Sequence, residues 1–258
     1  MRVGGLLVDL DGVLYVEDQA VPGAAEAIGQ LRGRGLPLRF VTNTTSRSRR
    51  QTLERLGGLG FDVPPEELVT PAALARERCL DRGHERVALV MNEDVKEDFE
   101  GLTEADRDVD AVIMGDLGEA FGFEILNHAF RQVMDGAELI ALQKNRFWMT
   151  PDGLALDAGP FVAAIEYATG REALVVGKPS EAFFELVLGD MGIDAGEAAM
   201  VGDDVETDVG GAIDAGLGGL LVRTGKYSEE FVARSGIEPT ETLDSIADLP
   251  GLLEDVAR

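Results

Sequence analysis

Short apolar runs alternate with helix-like stretches along almost the whole chain, and this alternation restricts the fold more than any other feature. It is the pattern of a parallel α/β protein, in which helices cross over the faces of a sheet. Residues 5–10 read as a strand, and residues 24–33 as a helix with Ala27, Ile28 and Leu31 on one face. Residues 36–42 read as the next strand, and residues 49–56 as a helix stopped by Gly57 and Gly58. A turn-rich loop over 61–65 separates these from a second alternating series. Its expected strands are 87–91, 111–114 and 139–142, and its expected helices 71–82, 123–134 and 161–168. Residues 174–176 lead back to strands at 199–201 and 219–222, with a helix near 181–191. A chain of 258 residues can bury one large core, or one core plus an inserted smaller one.

The formal charge of −25 repels nucleic acid and anionic membrane, so neither is expected as a partner. Apolar residues make up 45% of the chain, ordinary for a globular protein and against disorder despite the charge. Cys79 is the only cysteine, which excludes an intrachain disulfide and a thiolate metal cluster. No apolar run approaches the roughly 18 residues of a membrane span. Residues 1–10 enter a strand-like run at once, leaving no room for a signal peptide. A soluble cytoplasmic protein is the expectation.

The most informative segment is Val8-Asp9-Leu10-Asp11-Gly12-Val13-Leu14. A buried strand would deliver Asp9 to its carboxyl end, where open α/β sheets place their sites. Asp11 follows two residues later, and Gly12 permits a sharp turn. Two acids so close repel each other unless a divalent cation sits between them. A strand ending in an ordinary Asp-Gly turn explains the segment equally well on its own.

Three further segments occupy expected strand ends. Phe40-Val41-Thr42-Asn43-Thr44-Thr45 offers hydroxyl and amide donors suited to phosphate oxygens, or simply the cap of the next helix. Val176-Gly177-Lys178-Pro179 carries one of only four lysines, which a solvated loop would also accommodate. Met200-Val201-Gly202-Asp203-Asp204, followed by Asp208, repeats the order of apolar strand, glycine and acids. Adjacent acids at a strand end are costly without a cation.

In this order the four segments resemble the haloacid dehalogenase superfamily in its phosphatase branch, and more narrowly its NagD-like subfamily. The resemblance spans essentially the whole chain. Val21-Pro22-Gly23-Ala24, the Thr42 segment and the Lys178 segment are most similar to the group that contains phospholysine phosphohistidine inorganic pyrophosphate phosphatase. The resemblance implies a Rossmann-like, doubly wound parallel-sheet core over 1–69 and 175–258, with an inserted α/β cap of the C2 type over 70–174.

It also implies roles. Asp9 would be the nucleophile that forms an aspartyl-phosphate, and Asp11 the acid and base for the leaving oxygen and the attacking water. Mg2+ would be held by Asp9, the backbone carbonyl of Asp11, and Asp203. Asp204 and Asp208 would orient water or Lys178 from behind. Lys178 and the metal would neutralise the phosphoryl group, while Gly12, Thr42, Asn43 and Thr44 hold its oxygens. Asp11 argues against dehalogenation, which in this superfamily lacks the second aspartate and the metal.

Other conspicuous residues carry less. Cys79 is expected as a small core residue, His128 as a helix-edge residue and His84 as solvated. Lys144, Asn145, Arg146 and Trp148 read first as cap packing, with a substrate leaving group as the sharper alternative. The glycines at 210–211 and 218–219 read as close packing and turns, lacking a dinucleotide spacing.

The leading expectation is a Mg2+-dependent phosphatase for a small phosphorylated compound, with pyrophosphate and phosphoramidates suggested by the resemblance. A phosphoryl-transferring mutase and a phospho-ligand binding protein with vestigial catalysis are the alternatives. Homo-oligomerisation is left open.

Overall fold

The computed structural model describes residues 3–150 and 153–254, without the side chains of 148–150 and 254. Two compact units emerge. The first comprises Met1–Thr42, Thr52–Val69 and Lys178–Arg258, and the second Asn43–Gln51 and Thr70–Gly177.

The first unit opens with β1 (Gly5–Asp9), buried along its whole length. A small antiparallel hairpin, β2 (Tyr15–Val16) and β3 (Gln19–Ala20), follows within the turn after β1. Helix α1 (Ala24–Gly33) then buries Ala24, Ala27, Ile28 and Leu31, the stripe its spacing anticipates. Next come β4 (Leu38–Val41), helix α2 (Arg49–Gly58) and the short β5 (Leu68–Val69).

The second unit is built on α3 (Pro71–Arg82), β6 (Arg86–Val90), β7 (Thr103–Glu104), β8 (Ala111–Met114), α4 (Phe123–Met134) and β9 (Glu138–Ala141). An antiparallel pair, β10 (Phe147–Thr150) and β11 (Gly153–Leu156), precedes α5 (Ala158–Thr169) and β12 (Leu174–Val175). Its main sheet runs β12-β9-β8-β6-β7, all parallel. Helix α3 starts where the sequence says it should. Pro71 occupies the first turn, Thr70 Oγ1 accepts the Ala73 amide at 3.2 Å, and Gly83 ends it at φ 71°. Helices α4 and α5 pack Ala129, Val133, Val162 and Ile165 against Val112, Met114 and Leu139 of the sheet.

The chain returns to the first unit through α6 (Glu181–Met191), capped by Ser180, and completes its sheet with β13 (Ala198–Gly202), β14 (Gly218–Val222) and β15 (Glu241–Leu243). The sheet order is β15-β14-β13-β1-β4-β5, with every pairing parallel. Leu6, Val8, Phe40, Ala199, Val201 and Leu220 form the heart of its core with Ile28 and Leu31. Removing the Phe40 side chain there would cost about 3–5 kcal/mol.

Short pieces escaped the sequence reading: the β2–β3 and β10–β11 hairpins, β5, β7, β15 and a π-helical turn over Val205–Gly210. Strands of two to four residues leave too little periodicity to read. His84 departs from its expected solvation. Its side chain is mostly buried, with Nε2 2.8 Å from Glu138 Oε2, while Arg78 reaches the other oxygen of Glu138 at 3.3 Å. His128 pairs with Gln132 at 3.1 Å, and Cys79 is fully buried, its thiol pushed up to about 11 by burial. Lys144 is paired with Glu166 at 2.6 Å, while the Trp148 side chain lies outside the described residues. Among the described residues no helix is long and apolar enough to cross a membrane.

Candidate active site

β1 and β13 lie side by side at the place where the first sheet reverses its strand order. From β1 the sheet continues to β4 and β5, and from β13 to β14 and β15. Neighbouring crossovers leave in opposite directions there, which opens a crevice at the carboxyl ends of the strands. Val8 pairs with Val201, so Asp9 and Asp203 emerge at the same end of adjacent strands. Asp9 also pairs with Val41, which sets Thr42 beyond the neighbouring strand end, where it is buried.

Lys178 joins them from a segment 169 residues away. Its side chain is 3% exposed, and Nζ lies 2.6 Å from Asp9 Oδ1 and 2.7 Å from Asp208 Oδ1. Burial opposes its charge, but Asp208 and Asp9 more than offset that and hold the ammonium above its ordinary range. A buried lysine without such partners would cost several kcal/mol. The solvated alternative for Lys178 is thereby excluded.

The carboxylates outnumber this cation. Asp9, Asp203 and Asp208 are all buried, and each offers one oxygen within 4.8 Å of the other two. Burial pushes all three up to about 6. It outweighs Lys178 at Asp9, the Lys226 amide at Asp203, and Lys178 at Asp208. Asp203 Oδ2 accepts the Lys226 backbone amide at 2.6 Å, whereas Asp203 Oδ1 is buried without a hydrogen-bond partner. An orphaned carboxylate oxygen beside two more hard oxygen donors fits a divalent cation such as Mg2+.

Asp204 turns elsewhere. Its Oδ1 accepts the Glu206 and Thr207 amides at 3.0 Å each and caps the π-helical turn. That turn brings Asp208 back under the site, where its Oδ2 accepts the Asp204 amide at 3.2 Å. Gly202 leaves the room Asp208 occupies, since a Cβ there would overlap the Asp208 carboxylate. The structure therefore groups Asp208, rather than Asp204, with Asp9 and Asp203.

Asp11 is exposed at the edge of the site, its Oδ2 accepting the Tyr15 hydroxyl at 3.0 Å. Tyr15 is buried, with the Arg55 guanidinium 4.8 Å from its ring centre. The Gly12 amide donates to the Tyr15 carbonyl at 2.7 Å, closing the loop between them. Gly12 needs its φ of 84°, and a side chain there would overlap Asp203 Oδ2. Asn43 and Thr44 are counted with the second unit, where Asn43 Oδ1 lies 3.1 Å from the place a Cβ on Gly177 would take. Sequence reasoning passed over Tyr15 and the Thr224-Gly225-Lys226 turn. The aromatic residue six positions beyond Asp9 and the glycine three residues beyond β14 were the available signals.

Comparison with known proteins gives concordant matches. A model described as haloacid dehalogenase-like hydrolase matches residues 6–103, and one described as HAD-hydrolase-like matches residues 175–249. The human haloacid dehalogenase-like hydrolase domain-containing protein 2 is 49% identical over 93% of this chain and 92% of its own. The phospholysine phosphohistidine inorganic pyrophosphate phosphatase of Danio rerio is 40% identical over 87% of this chain and 84% of its own. Among solved structures, the p-nitrophenyl phosphatase from Archaeoglobus fulgidus superposes with a TM-score of 0.90, at 29% identity over 98% of this chain and 100% of that one. A glycerol phosphate phosphatase from Mycobacterium tuberculosis in complex with magnesium gives 0.81, at 31% identity over 96% and 76%.

Proposed function

The chain belongs to the haloacid dehalogenase-like hydrolases, and from that premise we propose that it is a Mg2+-dependent phosphatase of small phosphorylated compounds. One observation carries the proposal. The buried Asp9–Lys178 pair at 2.6 Å stands beside Asp203, whose Oδ1 has no hydrogen-bond partner. A carboxylate suited to attack, a fixed positive charge and a carboxylate oxygen without a hydrogen-bond partner thus lie together at adjacent strand ends.

Asp9, Asp203 and the backbone carbonyl of Asp11 would hold the cation, which supplies positive charge to the phosphoryl oxygens when bound, with Asp208 beside them tying down Lys178. In the first step the Asp9 carboxylate attacks phosphorus. The bond from phosphorus to the leaving oxygen breaks, and Asp11 gives that oxygen its proton. Water then attacks the aspartyl-phosphate, losing a proton to Asp11, and inorganic phosphate departs with Asp9 restored. Lys178 fixes the orientation of Asp9 and offsets charge gathering on phosphorus. Thr42, Asn43 and Thr44 are the proposed holders of the phosphoryl oxygens, whereas the Gly12 amide, also expected there, is committed to the Tyr15 carbonyl. The relatives' named substrates make phosphomonoesters, pyrophosphate and phosphoramidates the first classes to assay.

The test is phosphate release from p-nitrophenyl phosphate, with Mg2+ and after chelation. Turnover is expected with the metal, loss on chelation, and loss of on the order of a thousandfold or more in Asp9→Asn. Undiminished turnover in the chelated protein would overturn the metal dependence. Undiminished turnover in Asp9→Asn would overturn the covalent route.

A further inference from the structure

Asp203 sits in a clasp made by a segment outside the four strand-end motifs. The Thr224 hydroxyl donates to the Gly12 carbonyl. The Lys226 amide donates to Asp203 Oδ2 at 2.6 Å. Between them Gly225 adopts φ 64°, and a side chain on it would overlap both Asp203 Oδ2 and the Gly12 backbone. A side chain on Gly12 would overlap the same carboxylate oxygen. Two glycines in left-handed geometry and one hydrogen bond therefore fix one oxygen of one aspartate, and the Thr224 bond ties the turn to Gly12. The other oxygen, Oδ1, is buried with no hydrogen-bond partner.

We infer that the Thr224-Gly225-Lys226 turn is a positioning element that presents Asp203 to the divalent cation through Oδ1 alone. The inference rests on the phosphatase reading above and deepens it toward metal choice. A carboxylate with both oxygens available can chelate the larger Ca2+ in a loose, bidentate shell. Mg2+ demands a compact octahedron and takes one oxygen per carboxylate. Withholding Oδ2 therefore favours Mg2+ over Ca2+. The turn acts through Asp203 and touches no reacting atom in this scheme.

The experiment is titration of the full chain with MgCl2 and, separately, CaCl2 by calorimetry, alongside the Mg2+ dependence of p-nitrophenyl phosphate turnover. Gly225→Ala crowds the clasp, Thr224→Val removes only the donor to Gly12, and Ser228→Ala removes a nearby helix cap without touching it. Gly225→Ala and Thr224→Val are expected to weaken Mg2+ binding about tenfold, the magnitude usual for groups that orient metal ligands. Ca2+ binding should change less, and kcat at saturating Mg2+ should stay within about threefold of the parent, since the lost term lies in metal affinity. Ser228→Ala should lower the Tm and leave both affinities alone. If Gly225→Ala does not fold, Thr224→Val decides. Parental Mg2+ affinity in a folded clasp variant, or equal losses for the two cations, overturns the inference. A parent chain that binds no Mg2+ overturns the metal dependence on which the inference rests, which is a separate result.

Discussion

Asp11 is held by its own loop, through the 3.0 Å bond from the Tyr15 hydroxyl. An exposed carboxylate that must deliver a proton to one oxygen gains from having its rotamers restricted. Tyr15→Phe keeps the ring under Arg55 and removes only that donor. It should slow hydrolysis of an alkyl phosphate about tenfold, while p-nitrophenyl phosphate, whose leaving group needs little protonation, slows less than about threefold. Equal losses for the two substrates, read from kcat, would assign Tyr15 to packing alone. Asp11→Asn should follow the same order of sensitivity with larger losses.

The π-helical turn after β13 is the element that decides which acid faces the site. Asp204 caps its start with two amide bonds, and the turn returns Asp208 to Lys178. Asp204→Ala should cost about 1 kcal/mol of stability, the usual worth of such a cap, read from chemical denaturation. The strand ends also set a pH dependence. Asp9, Asp203 and Asp208 are raised from 3.8 to about 6, so the metal-free native state binds extra protons between those values. Their contribution to stability is therefore greatest below the unfolded value and is lost as pH rises through about 6. Mg2+ requires the deprotonated ligands, so its stabilising effect runs the opposite way. The rise in Tm on adding Mg2+ should be larger at pH 7.5 than at pH 5. An equal rise at both values would show that these carboxylates do not bind the ion.

Across the whole molecule, 48 acidic side chains face only 23 basic ones, of which 19 are arginine. Self-repulsion from a charge of −25 opposes the compact state, and salt weakens it by shortening the screening length from roughly 8 Å at 0.15 M to roughly 3 Å at 1 M. Tm should rise as KCl is increased toward 1 M with Mg2+ held constant, because Mg2+ binding to the native state would mimic screening. A flat or falling curve would show that repulsion is already offset. The ion pairs that offset it include exposed ones such as Arg223–Asp244 at 2.7 Å, which contribute little individually.

The sequence by itself determined the alternation, and with it both parallel sheets, because covering an apolar strand is a local demand repeated at every crossover. It also placed Asp9 at the end of β1 and Asp203 just beyond β13, since each follows an apolar run directly. Helices 71–82, 123–134 and one near 181–191 were legible because their caps are written at both ends or their stripes are clear. Tertiary structure alone decided the rest. Asp204 and Asp208 are chemically alike, and only the π-helical turn commits one to capping and the other to Lys178. Nothing near Lys178 in the chain announces its burial, because its partner Asp9 is 169 residues away. The turn at Gly225 acquires meaning only when β14 brings it against Gly12 and Asp203, for a carboxylate's free oxygen is set by whatever packs against the other one.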